Sequence, residues 1–134
     1  MSVAYARAMQ DYGRSGPLAA ANEQSPQQLV ACLLDGALTR IAVARRALVE
    51  GDAAARGQAS TRIIEILGYL DGILDVQAGG DIAERLRGLY SYCVQRVFTG
   101  NRRADDDAYA EVAALIGEIK SAWDALPMQA GAAA

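Results

Sequence analysis

Ser25-Pro26-Gln27-Gln28-Leu29-Val30-Ala31-Cys32-Leu33-Leu34-Asp35-Gly36-Ala37 is the stretch that decides how the chain folds. Ser25 has the chemistry of a helix N-cap, because its hydroxyl accepts a backbone N–H of the first turn that has no partner within the helix. Pro26 takes the first helical position, where a missing N–H costs nothing. Leu29, Val30, Leu33, Leu34, Ala37, Leu38, Ile41 and Leu48 then follow as one apolar stripe with a period of about 3.6. Asp35-Gly36 alone is a turn signal. The stripe keeps its phase across it, which predicts a continuous helix with an internal glycine, at a cost of about 1 kcal/mol against alanine. Close approach of a neighbouring helix is the expected compensation, and a tolerated glycine with no packing role is the alternative.

Working outward, Gly51 suits the C-cap of this first helix and Asp52 the N-cap of the next. So short a connection forces the two helices antiparallel. The second is expected from about Ala53 to Val76, with Ala59, Ile63, Ile64, Ile66, Leu67, Leu70, Ile73 and Leu74 as its apolar residues. This set is wider than the arc of roughly 100° that one core-facing side needs, so it predicts a thicker core or a second buried face. Gln77-Ala78-Gly79-Gly80 closes the helix and Asp81 caps a third. That helix is lined by Ile82, Leu86, Leu89, Tyr90, Cys93, Val94, Val97 and Phe98 and ends at Gly100-Asn101. Asp105, Asp106 and Asp107 open the last helix, where negative charge suits the dipole. Tyr109, Val112, Ala113, Ile116, Ile119, Trp123 and Leu126 form its stripe, and Pro127 stops it.

The expected fold is therefore all-α: an antiparallel up-down four-helix bundle over residues 25–127. Residues 1–24 are expected to be an N-terminal arm and linker. Val3, Tyr5, Met9 and Tyr12 give the arm a short amphipathic pattern, and Gly13, Gly16 and Pro17 mark the tether. A helix of about a dozen residues is marginal in water unless it docks. Residues 128–134 are read as a disordered tail of small residues.

The chain has 134 residues, enough for one domain, and is 52% hydrophobic but only 6% aromatic, which favours helices over a sandwich or barrel. A net charge of −3 argues against nucleic acid as a partner, which calls for a basic face. Asn101-Arg102-Arg103-Ala104 is the clearest basic patch and is read as a solvated loop. No apolar run is read as a membrane span, and no hydrophobic core of a secretory signal is visible near the N-terminus, so the expected location is the cytoplasm. Cys32 and Cys93 sit on apolar stripes and are read as buried free thiols in a reducing compartment, with an interhelical disulfide as the alternative.

There is no histidine. That removes Ser-His-Asp and Cys-His nucleophile systems and the Glu-x-x-His di-iron motif of helical bundles. The cysteine spacing does not suit zinc, and Gly79-Gly80 does not follow a strand as a phosphate loop requires. Asp71 and Asp75, one turn apart, read as a solvated face. No cofactor or metal is expected. The surplus apolar surface points instead to a groove for a partner helix. Residue chemistry alone thus leads to a helical interaction protein. A client of another kind, and an enzyme using carboxylates alone, remain as alternatives.

The order and spacing of several motifs resemble the flagellin-specific export chaperones of the FliS family, over about Met9 to Trp123. They are Ser25-Pro26-x-x-Leu29, Asp35-Gly36-Ala37, Gly51-Asp52, Gly79-Gly80-Asp81-Ile82-Ala83, Leu86-x-x-Leu89-Tyr90-x-Tyr92 with Arg96, Asn101, and Ala122-Trp123. Leu34, Cys32, Cys93 and Asp81 depart from the family pattern, where an aromatic residue, methionines and a glutamate are usual. The resemblance implies a cytoplasmic chaperone without enzymatic activity. It would bind the C-terminal segment of flagellin, prevent early polymerisation, and deliver the complex to the flagellar type III export gate. Leu33, Ile63, Ile66, Leu70 and Ile73 are the candidate client contacts on the bundle. Met9 and Tyr12 match the hydrophobic-x-x-Tyr pair of the family's N-terminal arm, which implies a lid over the client groove, with a plain disordered tail and a direct contact of Tyr12 with the client as the alternatives.

Overall fold

The computed structural model describes residues 25–127, which form four helices. These are α1 (Pro26–Glu50), α2 (Ala53–Gly72), α3 (Val76–Arg103) and α4 (Asp106–Asp124). Each helix packs on the next, and α4 closes back onto α1. Two- and three-residue connections between packed neighbours give an antiparallel up-down bundle. No strand occurs among the described residues. Met9, Tyr12, the rest of residues 1–24, and residues 128–134 lie outside them.

The opening stretch folds as its chemistry dictates. Ser25 Oγ accepts from the Gln28 backbone N–H at 3.2 Å, and Gln28 Oε1 accepts from the Ser25 N–H at 2.9 Å. This is a complete capping box, with Pro26 just inside it. The helix runs unbroken through Asp35-Gly36 to Glu50, where Gly51 closes it in a left-handed conformation. Asp52 then caps α2 through the Ala55 N–H at 3.0 Å.

Several boundaries differ from the sequence reading. α2 stops at Gly72 instead of Val76: Ile73 makes the last i→i−4 bond, to the Tyr69 carbonyl at 3.1 Å, and Leu74 N–H then bonds the Asp71 carbonyl at 3.2 Å, a tighter i→i−3 turn in which the chain leaves the helix. Helical structure resumes at Val76 and is interrupted at Gly80, whose φ of 55° and ψ of −131° favour glycine. Gly100 does not end α3. It sits inside the helix because a Cβ there would lie 3.0–3.2 Å from the Tyr109 ring. Arg102 and Arg103 consequently occupy the last turn of α3, where the helix dipole favours cations, and not a loop. α4 ends at Asp124, which leaves Leu126 49% exposed and outside the stripe. Ile82 and Phe98, members of the expected stripe of the third helix, are also exposed.

The core takes Leu33, Leu34, Ala37, Ile41 and Ala44 from α1 and Ala59, Ile63, Ile66, Leu67 and Leu70 from α2. α3 adds Tyr90, Cys93 and Val97, and α4 adds Tyr109, Val112 and Ile116. The buried hydroxyls of Ser60 and Tyr109 bond each other at 2.7 Å, so neither is left unsatisfied. Arg45 forms a two-pronged bridge to Asp106, at 2.8 and 2.9 Å, that ties α1 to the start of α4. α1 reaches the length and hydropathy of a membrane span by composition alone, a test that the core helix of a bundle also passes. In the bundle its apolar face is spent on the core.

Candidate functional site

The first turns of α1 and α3 and the last turns of α2 and α4 meet at one end of the bundle. Between them lies a cleft of about 380 Å³. Val30 of α1, Leu70 of α2, the connecting residues Ile73, Leu74 and Asp75, and Trp123 of α4 form one part of its lining. Gly79, Ile82, Ala83, Leu86 and Tyr90 of α3 form the rest.

Local sequence explains each wall. The capping box fixes where α1 starts and hence the height of Val30. The early end of α2 turns Ile73 outward, 42% exposed. The break at Gly80 re-aims α3 so that Ile82 stands 71% exposed at the rim. Gly79 must be glycine because a Cβ there would meet Ala83 Cβ at 2.7 Å. Trp123 donates its indole N–H to the Gln27 carbonyl at 2.8 Å, which closes the fourth side.

Burial separates the sequence candidates. Leu33, Ile63, Ile66 and Leu70 are all within 3% of full burial and belong to the core. Leu70 alone of these four also forms cleft lining. Ile73 lines the cleft and is exposed. Met9 and Tyr12 lie outside the described residues. The sequence reading did not single out Val30, Leu74, Ile82, Leu86, Tyr90 or Trp123 as site residues. It counted them as stripe members, and periodicity does not distinguish a covered position from one beyond the end of its neighbouring helix.

The electrostatics around the cleft are modest. Burial, reinforced by the charge of Asp71, pushes the Tyr90 phenol up to about 12. Asp71 accepts from Arg87 at 3.3 Å. Lys120 spans Asp124 and Asp35, and its pKa is raised mainly by the hydrogen bond to Asp124. On the α3–α4 face, Tyr92 and Arg96 both donate to Glu111, at 2.6 and 2.7 Å, and hold its carboxyl below the ordinary range. That clamp joins α3 to α4 and contributes no residue to the lining of the end cleft. Neither cysteine is in a disulfide; Cys93 is buried and Cys32 half-buried. Burial pushes the Cys93 thiol up to about 11. Among the described residues no group of three His, Cys, Asp or Glu is placed to hold a metal.

A larger groove of about 550 Å³ runs between α1 and α2, lined by Arg40, Val43, Gln58, Thr61, Arg62 and Glu65 among others. Its lining is mixed and charged. The end cleft instead offers nearly continuous aliphatic and aromatic surface, the kind that takes an apolar helix face.

The model of the family described as flagellar protein FliS matches residues 8–130. The chain belongs to this family. Among FliS relatives, the flagellar secretion chaperone FliS of Salmonella typhimurium is 40% identical over 100 residues, covering 74% of each chain. The flagellar secretion chaperone FliSB of Pseudomonas aeruginosa is 33% identical over 120 residues, covering 90% of this chain and 95% of its own. The flagellar secretion chaperone FliS of Escherichia coli is 33% identical over 119 residues, covering 88% of each. FliS membership accounts for the motif order noted above. Leu86 and Tyr90 of the Leu-x-x-Leu-Tyr-x-Tyr run line the cleft, while Tyr92 and Arg96 make the Glu111 clamp.

Proposed function

We propose that this protein is a flagellar secretion chaperone that binds the C-terminal segment of flagellin in the cytoplasm. It holds that segment apart from other flagellin copies and passes the complex to the flagellar type III export gate. It acts without catalysis, without nucleic acid and without inserting into a membrane. The observation that carries this reading is the family match across residues 8–130.

The end cleft supports a helical apolar client. Ile73 and Ile82 offer aliphatic contact at its rim, and Leu70 and Tyr90 supply its inner surface. Leu33, Ile63 and Ile66 support the cleft from within the core, and a client reaches them only if the helices separate. A disordered amphipathic segment gains apolar contacts here while paying the entropy of ordering, and that balance keeps the hold reversible. Met9 and Tyr12 belong to an arm that covers the client surface until flagellin arrives.

Titration of the purified protein with intact flagellin, and with flagellin lacking its C-terminal segment, tests the proposal. Binding of the intact protein and loss of binding on truncation are expected. Equal binding of both overturns the choice of segment, and binding of neither overturns the function.

A further inference from the structure

We infer that the bend at Gly79-Gly80 is a positioning element for the client: its backbone shapes the end cleft, and the fold does not require it. This rests on the reading of a flagellin segment as the client. Gly80 has φ 55° and ψ −131° inside the helical span Val76–Arg103. Those angles lie close to the mirror image of polyproline II backbone, a region open to glycine and closed to L side chains. No atom stands within 4 Å of where a Gly80 Cβ would be, so the backbone alone sets the demand for glycine there. Gly79 answers a second consequence of the same bend. In an unbroken helix, Cβ atoms four residues apart are about 5–6 Å from each other. A Cβ on Gly79 would lie 2.7 Å from that of Ala83, so the turn before the bend is folded back onto the turn after it.

The core gains little from this arrangement. The folded-back turn is closed by the Gly79 N–H, which donates to the Asp75 carbonyl at 2.7 Å. Between Leu70 and Ala83 no described side chain is buried. Tyr90, Cys93 and Val97, which α3 gives to the core, all follow the bend. The cleft gains directly. Gly79 before the bend and Ile82 and Ala83 after it line one wall, beside Ile73 and Leu74. A straight helix would part position 79 from Ala83 and take that wall apart. Two adjacent glycines are also poor helix formers, so local preference is given up where the cleft needs shape. Backbone held in a sparsely populated region beside a cleft, and outside the core, is the pattern of a functional constraint.

Chirality at position 80 tests this. The full chain can be assembled by ligation at Cys32 and Cys93, from peptides 1–31, 32–92 and 93–134. Three versions carry glycine, L-alanine (Gly80→Ala) or D-alanine at position 80. D-alanine reaches the observed angles as readily as an L residue reaches polyproline II, whereas L-alanine is driven out of them. Each chain is titrated with a peptide of the host flagellin C-terminal segment, and its urea midpoint is followed by circular dichroism. The D-alanine chain is expected to bind as the parent does. The L-alanine chain is expected to keep its helices and its midpoint, and to bind about tenfold more weakly. Equal affinity of all three chains overturns the inference and leaves the flagellin reading standing. So does loss of binding with both alanines, which would assign the effect to the methyl group and not to the bend. An L-alanine chain that is unfolded, or that has a markedly lower midpoint, overturns it too, because the bend would then serve the fold. Failure of the peptide to bind the parent chain overturns both readings.

Discussion

The indole N–H of Trp123 reaches the Gln27 carbonyl at 2.8 Å, joining the last turn of α4 to the first turn of α1 across 96 residues of chain. Gln27 in turn donates its side-chain amide to the Pro127 carbonyl at 3.4 Å. Replacing Trp123 with Phe keeps an aromatic ring but removes the donor. The expected loss is about 1 kcal/mol for one net hydrogen bond, plus a smaller packing term. Urea denaturation followed by circular dichroism measures it, and a variant as stable as the parent would show that the bond contributes nothing.

Core and cleft residues are expected to separate by phenotype. Ile63→Ala removes fully buried surface and should cost about 2–5 kcal/mol of stability. Ile73→Asp and Ile82→Asp alter exposed positions and should change stability by no more than about 0.5 kcal/mol. Each should nevertheless weaken flagellin-peptide binding about tenfold, or ~1.4 kcal/mol. Paired unfolding and titration experiments check the split. Unchanged affinity in both surface variants would remove the cleft from the account.

Stability should fall at alkaline pH. The Cys93 thiol, displaced from 9.0 to about 11 chiefly by burial, and the Tyr90 phenol, displaced from 10.0 to about 12, stay protonated longer folded than unfolded. The unfolded chain therefore binds fewer protons above pH 9, so the stabilisation is complete below that pH and is lost as pH rises toward 11 and 12. Denaturation midpoints measured from pH 7 to 11 check this. A Cys93→Ala variant should lose the earliest part of the decline. In the native state at pH 8, thiol reagents should modify Cys32 well before Cys93.

The bundle was readable because its punctuation is local. Ser25-Pro26 and Gly51-Asp52 fix α1 and the start of α2 through caps that need no tertiary context. The end of α2 was not readable, since Ile73 and Leu74 continue the apolar stripe beyond the point where the backbone turns. Gly100 read as a stop because the Tyr109 ring that demands it comes from another helix. The site suffered from the same blindness to depth. Ile63 and Ile82 carry the same side chain on comparable stripes, yet one is fully buried and the other is 71% exposed. The break at Gly80 and the early end of α2, neither visible in the stripe, separate them.

Deleting residues 1–24 tests the arm. If the arm occupies the client surface about 90% of the time, client affinity is lowered about tenfold. The shortened chain should keep its helices, bind more hydrophobic dye and bind the peptide about tenfold more tightly. Unchanged dye binding and affinity would make the arm a passive tail. Weaker binding would make Met9 or Tyr12 a direct client contact.

The central claim is that a flagellin C-terminal segment buries its apolar face on this bundle. Calorimetric titration of that peptide at several temperatures tests it most directly, because apolar burial leaves a negative heat-capacity change whatever the sign of the enthalpy. A clearly negative heat-capacity change, reduced in Ile82→Asp, is the expected result. Binding with a heat-capacity change near zero would contradict the account.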